Sequence, residues 1–403
     1  MSQSNGNTPS LNDPAEISDF EPHPSLFRIF QEFLVLGATA FGGPAMVAYI
    51  RKLAVEKHRW MGTSDFQSGL AFCQIIPGAT AMQVAGYVGL RTRGFAGAVV
   101  AYAGFASPAT ILVIALSSLY LSLHTLPPFM SILQGLRPVV VGVILYAAVS
   151  LGHPLVRGMR EVGIALAAAA LLLLGIHPIL AILSAALLGC ALLSGLPEEE
   201  VTRSSYLLPV SPHTLIAALA FIIAGVVAMA WVQPLLFHLF ISMFQVDLFA
   251  FGGGFAAYPL MYHEVVRVQG WMDEKTFLDG IAIGQVTPGP IIITATFIGF
   301  VVDGVAGALI ATIGIFIGSF FLLVGLFPFF DRIQGSPLVN RAARGILLSF
   351  LGLLASVCIG VAFAISWNPI TVFLAIGSFV ALLMGAEILW VIVGGILISL
   401  ILL

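Results

Sequence analysis

The sequence predicts an all-α, polytopic membrane protein built from two inverted-topology repeats with broken or re-entrant helices, in about 11–13 membrane segments. Three observations carry that prediction. The chain of 403 residues is 59% hydrophobic and 9% charged, where soluble domains carry about a quarter charged residues. A set of uncommon motifs recurs at a spacing of 210 or 211 residues. One apolar run between the two copies has no counterpart, and the charge bias of equivalent loops reverses across it.

No soluble core buries so much apolar surface, so the bilayer is the solvent that fits. Residues 1–25 hold Pro9, Pro14, Pro22 and Pro24 with Asp13, Glu16, Asp19 and Glu21, and no Lys or Arg. A secretory signal opens basic and then turns apolar, so this stretch is expected to be a polar, disordered tail. Cys73, Cys190 and Cys358 stand far apart in apolar runs without CxxC spacing, and read as small buried hydrophobes.

Apolar runs then lie near 26–50, 66–90, 95–121, 131–152, 160–175 and 178–196. A polar break follows at Pro197 to Glu200 and Arg203 to Ser205, then a run near 213–232. A second series lies near 234–262, 275–301, 304–330, 341–366, 367–386 and 387–403. The expected organisation is a first repeat over 26–196, a linker plus one extra span over 197–235, and a second repeat over 236–403. The closing pairs, 160–196 and 367–403, are short enough to be helical hairpins.

The internal match is the strongest signal. Phe41-Gly42-Gly43 recurs as Phe251-Gly252-Gly253, a spacing of 210. Trp60-Met61, Phe66, Gly69, Gln74 and Pro77-Gly78 recur as Trp271-Met272, Phe277, Gly280, Gln285 and Pro288-Gly289, a spacing of 211. Gly94, Gly104 and Gly142 return as Gly304, Gly314 and Gly352 at 210. The unmatched run 213–232, set between two halves of about six segments each, inverts the second half.

Charge supports the inversion. Arg51, Lys52, Lys57, Arg59, Arg91 and Arg93 against Glu56 and Asp65 give +4 over 51–93. The equivalent 262–304 has Arg267 and Lys275 against Glu264, Asp273, Glu274, Asp279 and Asp303, which gives −3. Lys/Arg-rich loops stay cytoplasmic, so the two loops are expected on opposite faces. Basic residues at both ends of 66–90 favour a re-entrant hairpin turning at Pro77-Gly78.

Phe41-Gly42-Gly43-Pro44 interrupts an apolar run, and Phe251-Gly252-Gly253-Gly254 does so in the second half. Pro77-Gly78 and Pro288-Gly289-Pro290 are breaks of the same kind. Proline removes a donor and glycine loosens the helix, and lipid tolerates a broken ladder only beside protein or a watery cavity. Paired breaks suggest half-helices meeting near the midplane, whose N-terminal N–H groups suit an anion. Close helix packing is the plainer reading of the same glycines and prolines. Gln74, Thr80, Gln83, Gln285, Thr287, Thr294 and Thr296 lie at these breaks, either lining a site or capping broken ends.

Asp247 stands four residues before Phe251 inside an apolar run. It is either a proton carrier or an interfacial residue at a helix end. Glu32 and Glu387 are lesser cases near span ends. Arg51, Lys52, Lys57, His58 and Arg59 either steer an anion or fix topology. Trp231, Trp367 and Trp390 read as interfacial anchors. No HExxH, GxSxG or Walker loop occurs, so neither an enzyme nor a nucleotide-driven pump is indicated, and no metal or cofactor is called for.

Phe41-Gly42-Gly43-Pro44, Trp60, Cys73-Gln74 and Pro77-Gly78, echoed by Phe251-Gly252-Gly253-Gly254, Trp271, Gln285 and Pro288-Gly289-Pro290, resemble the chromate transporter family in its long, fused form. The resemblance covers nearly everything from residue 26 onward. It implies a multi-pass protein of the cell membrane that exports chromate, a tetrahedral dianion similar to sulfate, on the proton motive force. Sulfate or another small anion, or a passive anion channel, are the alternatives. The better-known subgroup has a His soon after the first FGGP and a Pro after the first Pro-Gly, where this chain has Ala45 to Tyr49 and Ala79. The partners implied are the lipid bilayer, a small inorganic anion and protons, with no nucleic acid. A homodimer is compatible with this reading.

Overall fold

The computed structural model describes residues 24–41, 43–123, 126–193, 211–329 and 336–402. The polar tail, most of the linker and Gly42 therefore lie outside the described residues. Among the described residues every regular element is helical.

α1 (Leu26–Thr39) opens on Ser25, whose hydroxyl accepts the Arg28 N–H at 3.2 Å. It stops at the first break, and α2 (Gly43–Arg51) resumes and runs into a π-helical turn, Lys52–Lys57. The run 26–50, expected as one apolar segment, is thus two half-helices. α3 (Thr63–Ile75) and α4 (Thr80–Leu123) flank Pro77-Gly78. α4 is itself bent back at Arg93–Gly94. α5 (Pro127–Leu155), α6 (Met159–Leu173) and α7 (Pro178–Leu192) complete the first repeat.

The extra helix α8 (Pro212–Val232) follows. The second repeat then retraces the first. α9 (Pro234–Phe249) ends at the second break, and α10 (Ala257–Tyr262) leads into a π-helical turn, His263–Val268. α11 (Glu274–Val286) starts on Asp273, which accepts the Thr276 N–H at 2.8 Å. α12 (Thr294–Leu326) bends at Asp303–Gly304, the counterpart of Arg93–Gly94. α13 (Pro337–Phe363), α14 (Pro369–Leu383) and α15 (Ile388–Leu402) close the chain. Proline opens α7, α8, α9, α13 and α14, where its missing N–H costs no helical bond.

Among the described residues five helices are long and apolar enough to cross a bilayer, including His213–Val232, whose apolar window is wholly unburied within the chain. Trp231, 86% exposed near the end of that helix, fits an interfacial anchor. α6 and α7 have 15 residues each, about 22 Å at 1.5 Å per residue, and pair as a hairpin shorter than the hydrocarbon core. α14 and α15 repeat that hairpin.

The repeats interlock. α6 and α7 pack against α13 of the second repeat, and α14 and α15 pack against α5 of the first. α5 and α13 run antiparallel: Gly152 faces Leu351, and Arg344 Nη2 donates to the Leu155 carbonyl at 3.1 Å. Two repeats related by a two-fold with antiparallel central helices have inverted topology.

Candidate substrate site

α3 and the first limb of α4 form a re-entrant hairpin. Their outer ends meet where Arg91 Nη2 reaches Asp65 Oδ2 at 3.1 Å and the Tyr87 hydroxyl donates to the Asp65 carbonyl at 3.1 Å. Gly69 lies flat against the Tyr87 ring, where any Cβ would collide with it. Gly280 against the Phe297 ring reproduces this between α11 and α12. The hairpin expected from the basic flanks is therefore present, and in both halves.

The hairpin tips meet across the two-fold. The Gly78 N–H donates to the Ala250 carbonyl and the Gly289 N–H to the Ala40 carbonyl, both at 2.9 Å. Each tip thus satisfies the last carbonyl before the other repeat's glycine break. Both tips need glycine: Gly78 has φ 115° and Gly289 φ 107°, and a Cβ would press on Ser319 and Ala109 respectively. Gln83 Nε2 caps the first tip by donating to the Pro77 carbonyl.

A cavity of about 380 Å³ opens beside these tips. Its wall takes Met46 and Val47 from α2, Gln74 from α3, and Ala79, Thr80 and Ala81 from the first tip. The second repeat adds Gly252, Gly253, Gly254 and Phe255, the tip residues Pro290 and Ile291, and Leu347 of α13. Ala79 and Pro290 are equivalent positions, as are Thr80 and Ile291, so the cavity lies by the two-fold. α2, α4 and the segment leading into α12 all begin here. The first N–H groups of a helix have no acceptor within it, and the dipole adds partial positive charge.

Of the residues singled out by sequence, Gln74, Thr80, Gly252, Gly253, Gly254 and Pro290 line the cavity. Pro77, Gly78, Pro288 and Gly289 build the tips behind it. Gly43 and Pro44 open α2, and Phe41 and Phe251 are half-buried beside the breaks. Gln285 is buried and donates to the Tyr258 hydroxyl at 2.7 Å, and Thr287 Oγ1 donates to the Ile283 carbonyl at 2.8 Å. Gln285 thus ties α11 to α10, Thr287 closes the end of α11, and neither is in the cavity wall.

Asp247 is fully buried within the protein, in the last turn of α9. Its Oδ2 accepts the Ser319 N–H at 2.6 Å, and its Oδ1 has no hydrogen-bond partner among the described residues. Ser319 touches the Gly78 tip, so the carboxyl sits directly behind the first hairpin's turn. Glu32 pairs with Lys57 Nζ and His58 Nε2, each at 2.9 Å, so part of the basic cluster ties α1 to the π-helical turn. At the mouth of α11, burial pushes the Asp273 carboxyl up, but the Thr276 backbone and side chain, Arg137 and Lys275 hold it below the usual carboxylate range.

Sequence reasoning missed one group. Arg137 of α5 grips Asp279 of α11 through Nε to Oδ1 at 2.8 Å and Nη2 to Oδ2 at 2.9 Å. The Tyr120 hydroxyl donates to Oδ2 at 3.0 Å. The available signal is an arginine inside the apolar run 131–152, where an ionisable group needs a partner. Among the described residues no group of three or more His, Cys, Asp or Glu is placed to hold a metal.

Comparison with known proteins agrees with this architecture. The family profile described as Chromate transporter matches residues 27–190 and again 237–400. The chain is 37% identical over 366 residues to an uncharacterized transporter of Methanocaldococcus jannaschii, covering 89% of this chain and 90% of that one. It is 30% identical to a probable chromate transport protein of Synechococcus elongatus, over 86% of each chain. It is 30% identical to a chromate transport protein of Pseudomonas aeruginosa, over 88% of this chain and 85% of that one. No solved structure matches the chain.

Proposed function

The chain belongs to the chromate transporter family, and we propose that it exports chromate, a tetrahedral dianion, from the cell in exchange for or together with protons. The observation that carries this reading is the cavity of about 380 Å³ walled by the broken helices of both repeats. Among the described residues no Lys or Arg is in that wall. The attraction for an anion then comes from helix starts, each contributing about 0.3–1 kcal/mol and up to about 2 when partly buried. Such weak, divided binding suits a carrier that must also release its load. Sulfate has the same shape and charge and is the competing substrate.

The cavity reaches Gln74, which is exposed, and stops short of Gln285, which is buried. A passage open toward one hairpin and closed at the other favours a carrier over a channel. Asp247 is the coupling group in this proposal. An unpartnered buried carboxylate oxygen costs several kcal/mol in charged form, so proton uptake neutralises the rear of the first tip while an anion occupies its front. Proton loss then helps eject the anion.

The test is flux in proteoliposomes with an imposed pH gradient, using chromate as substrate and sulfate as competitor. The proposal expects chromate flux that follows the proton gradient and is reduced by sulfate. Flux indifferent to the gradient would leave a channel, and no flux of either anion would overturn the reading.

A further inference from the structure

The two re-entrant hairpins share a motif but not a position. α11 packs against α5 and α15, whereas its counterpart α3 packs against α4 and makes no comparable contact with α13 or α7. One hairpin is docked on the interlocked helices and the other stands away from them. The cavity opens at the undocked hairpin, where Leu347 of α13 is in the wall. Arg137 is the counterpart of Leu347, 210 residues earlier, and Ser68 the counterpart of Asp279 at 211. The docked contact is thus an ion pair, with Asp279 fully buried and the Arg137 side chain 19% exposed. The equivalent pair on the open side is a leucine and a serine.

We propose that Arg137 is the residue that contacts the anion in the opposite-facing conformation. This rests on the transport reading above. In that conformation the hairpins exchange places: α3 docks on α13, α11 leaves α5, and Arg137 takes the place in the cavity wall that Leu347 holds here. Asp279 departs with α11, and a guanidinium left in a membrane interior requires another anion. A tetrahedral oxyanion supplies it, since the planar fork of arginine matches two oxygens at once. The anion and Asp279 then compete for one cation, so redocking of α11 and release of the anion are a single event. The face served by Leu347 has no such cation among the described residues, so the site binds its substrate more tightly when open toward α11 than when open toward α3.

The experiment uses the full chain with its three cysteines replaced by serine and a reporter introduced as Gln74→Cys or Gln285→Cys. Each reporter is combined with the double substitution Arg137→Leu, Asp279→Ser, which copies the pair found on the open side and leaves no unpaired charge. Labelling by a membrane-impermeant maleimide is read in proteoliposomes, and chromate flux is read in parallel on the same double variant. The expected result is faster labelling of Gln285→Cys, slower labelling of Gln74→Cys, and a half-saturating chromate concentration about tenfold higher, the loss of a charge-assisted contact. Arg137→Lys, which keeps charge without the fork, is expected between the double variant and the wild type. Unchanged labelling would show that the pair is packing alone, and changed labelling with unchanged half-saturation would show a latch that never meets the anion. Either result overturns the proposal. A wild type without flux would sink the transport reading and the anion contact with it, and the labelling rates, which need no flux, would still tell that failure from a failure of the latch.

Discussion

The first and second re-entrant hairpins are built to one pattern and used in two ways. Both turn on a Pro-Gly tip with positive φ, both hand an N–H to the opposite repeat at 2.9 Å, and both return along a helix that bends sharply at its outer end. The Pro-Gly turns of the tips are shared by the two halves, although Ala79 and Thr80 just beyond the first are answered by Pro290 and Ile291. One layer out the differences bear on charge: Asp279 against Ser68, Arg137 against Leu347, Asp247 against Gly37, Ser319 against Ala109. The shared set makes two equivalent positions available, and the differing set decides which hairpin is docked and which side holds charge. An exact two-fold would give both faces the same affinity; on the proposal above the unequal second layer gives them different ones, while the direction of net flux follows the gradients.

The largest effect is expected at the tips, and it should be the same in both halves. Gly78→Leu and Gly289→Leu each place a side chain at positive φ against a packed neighbour, Ser319 or Ala109. Strain alone costs about 1–3 kcal/mol, and the reciprocal hydrogen bonds are lost with it. Chromate flux should vanish in both variants while the protein still inserts. Normal flux in one of them would show that the two tips are not equivalent parts of one site.

Next in size, the single substitution Arg137→Leu leaves Asp279 buried without its partner, which costs about 3–5 kcal/mol. Thermal unfolding in detergent should show a large drop in Tm. Adding Asp279→Ser should restore most of it, because the other half tolerates that pair. A double variant no more stable than the single one would mean the two sides differ in more than this contact.

Asp247→Asn keeps the shape and the Ser319 hydrogen bond but cannot exchange a proton. Chromate flux should persist and lose its dependence on pH, measured across the range in which wild-type flux changes with pH. A pH profile identical to wild type would remove Asp247 from the coupling mechanism and leave it as a hydrogen-bond partner that ties α9 to α12. The smallest contrast is between the two glutamines. Gln74→Ala should raise the half-saturating chromate concentration severalfold with little change in Tm. Gln285→Ala should do the reverse, since it removes a buried hydrogen bond to the Tyr258 hydroxyl, worth about 0.5–1.5 kcal/mol.

Much of the architecture was legible from particular residues. Phe41-Gly42-Gly43, Trp60 and Pro77-Gly78, found again in one register, announced the repeat, and the unmatched run 213–232 announced its inversion. Basic residues on both flanks of 66–90 pointed to the re-entrant turn, and the short closing pairs to hairpins. Hydropathy ran α1 and α2 together because the break at Phe41–Gly43 is itself apolar. The pair of Arg137 and Asp279 stayed hidden because its members are 142 residues apart and belong to different halves. The internal match aligns each residue with its twin, and Arg137 bonds to the other repeat instead. The burial of Asp247 was open for a similar reason: its depth depends on α12 packing across it, which no local pattern records. Which glutamine would face the cavity was also beyond sequence, since the same motif occupies both the docked and the undocked position.

The central claim is that equivalent elements of the two repeats face opposite sides of the membrane around one shared cavity. Its most direct test uses Lys57→Cys and Val268→Cys, twin positions at the ends of the two π-helical turns, both exposed. In a background with Cys73, Cys190 and Cys358 replaced by serine, a membrane-impermeant thiol reagent is applied to sealed vesicles of known orientation. The account predicts that Lys57→Cys reacts only from the cytoplasmic side and Val268→Cys only from the other. Labelling of both positions from the same side would contradict it.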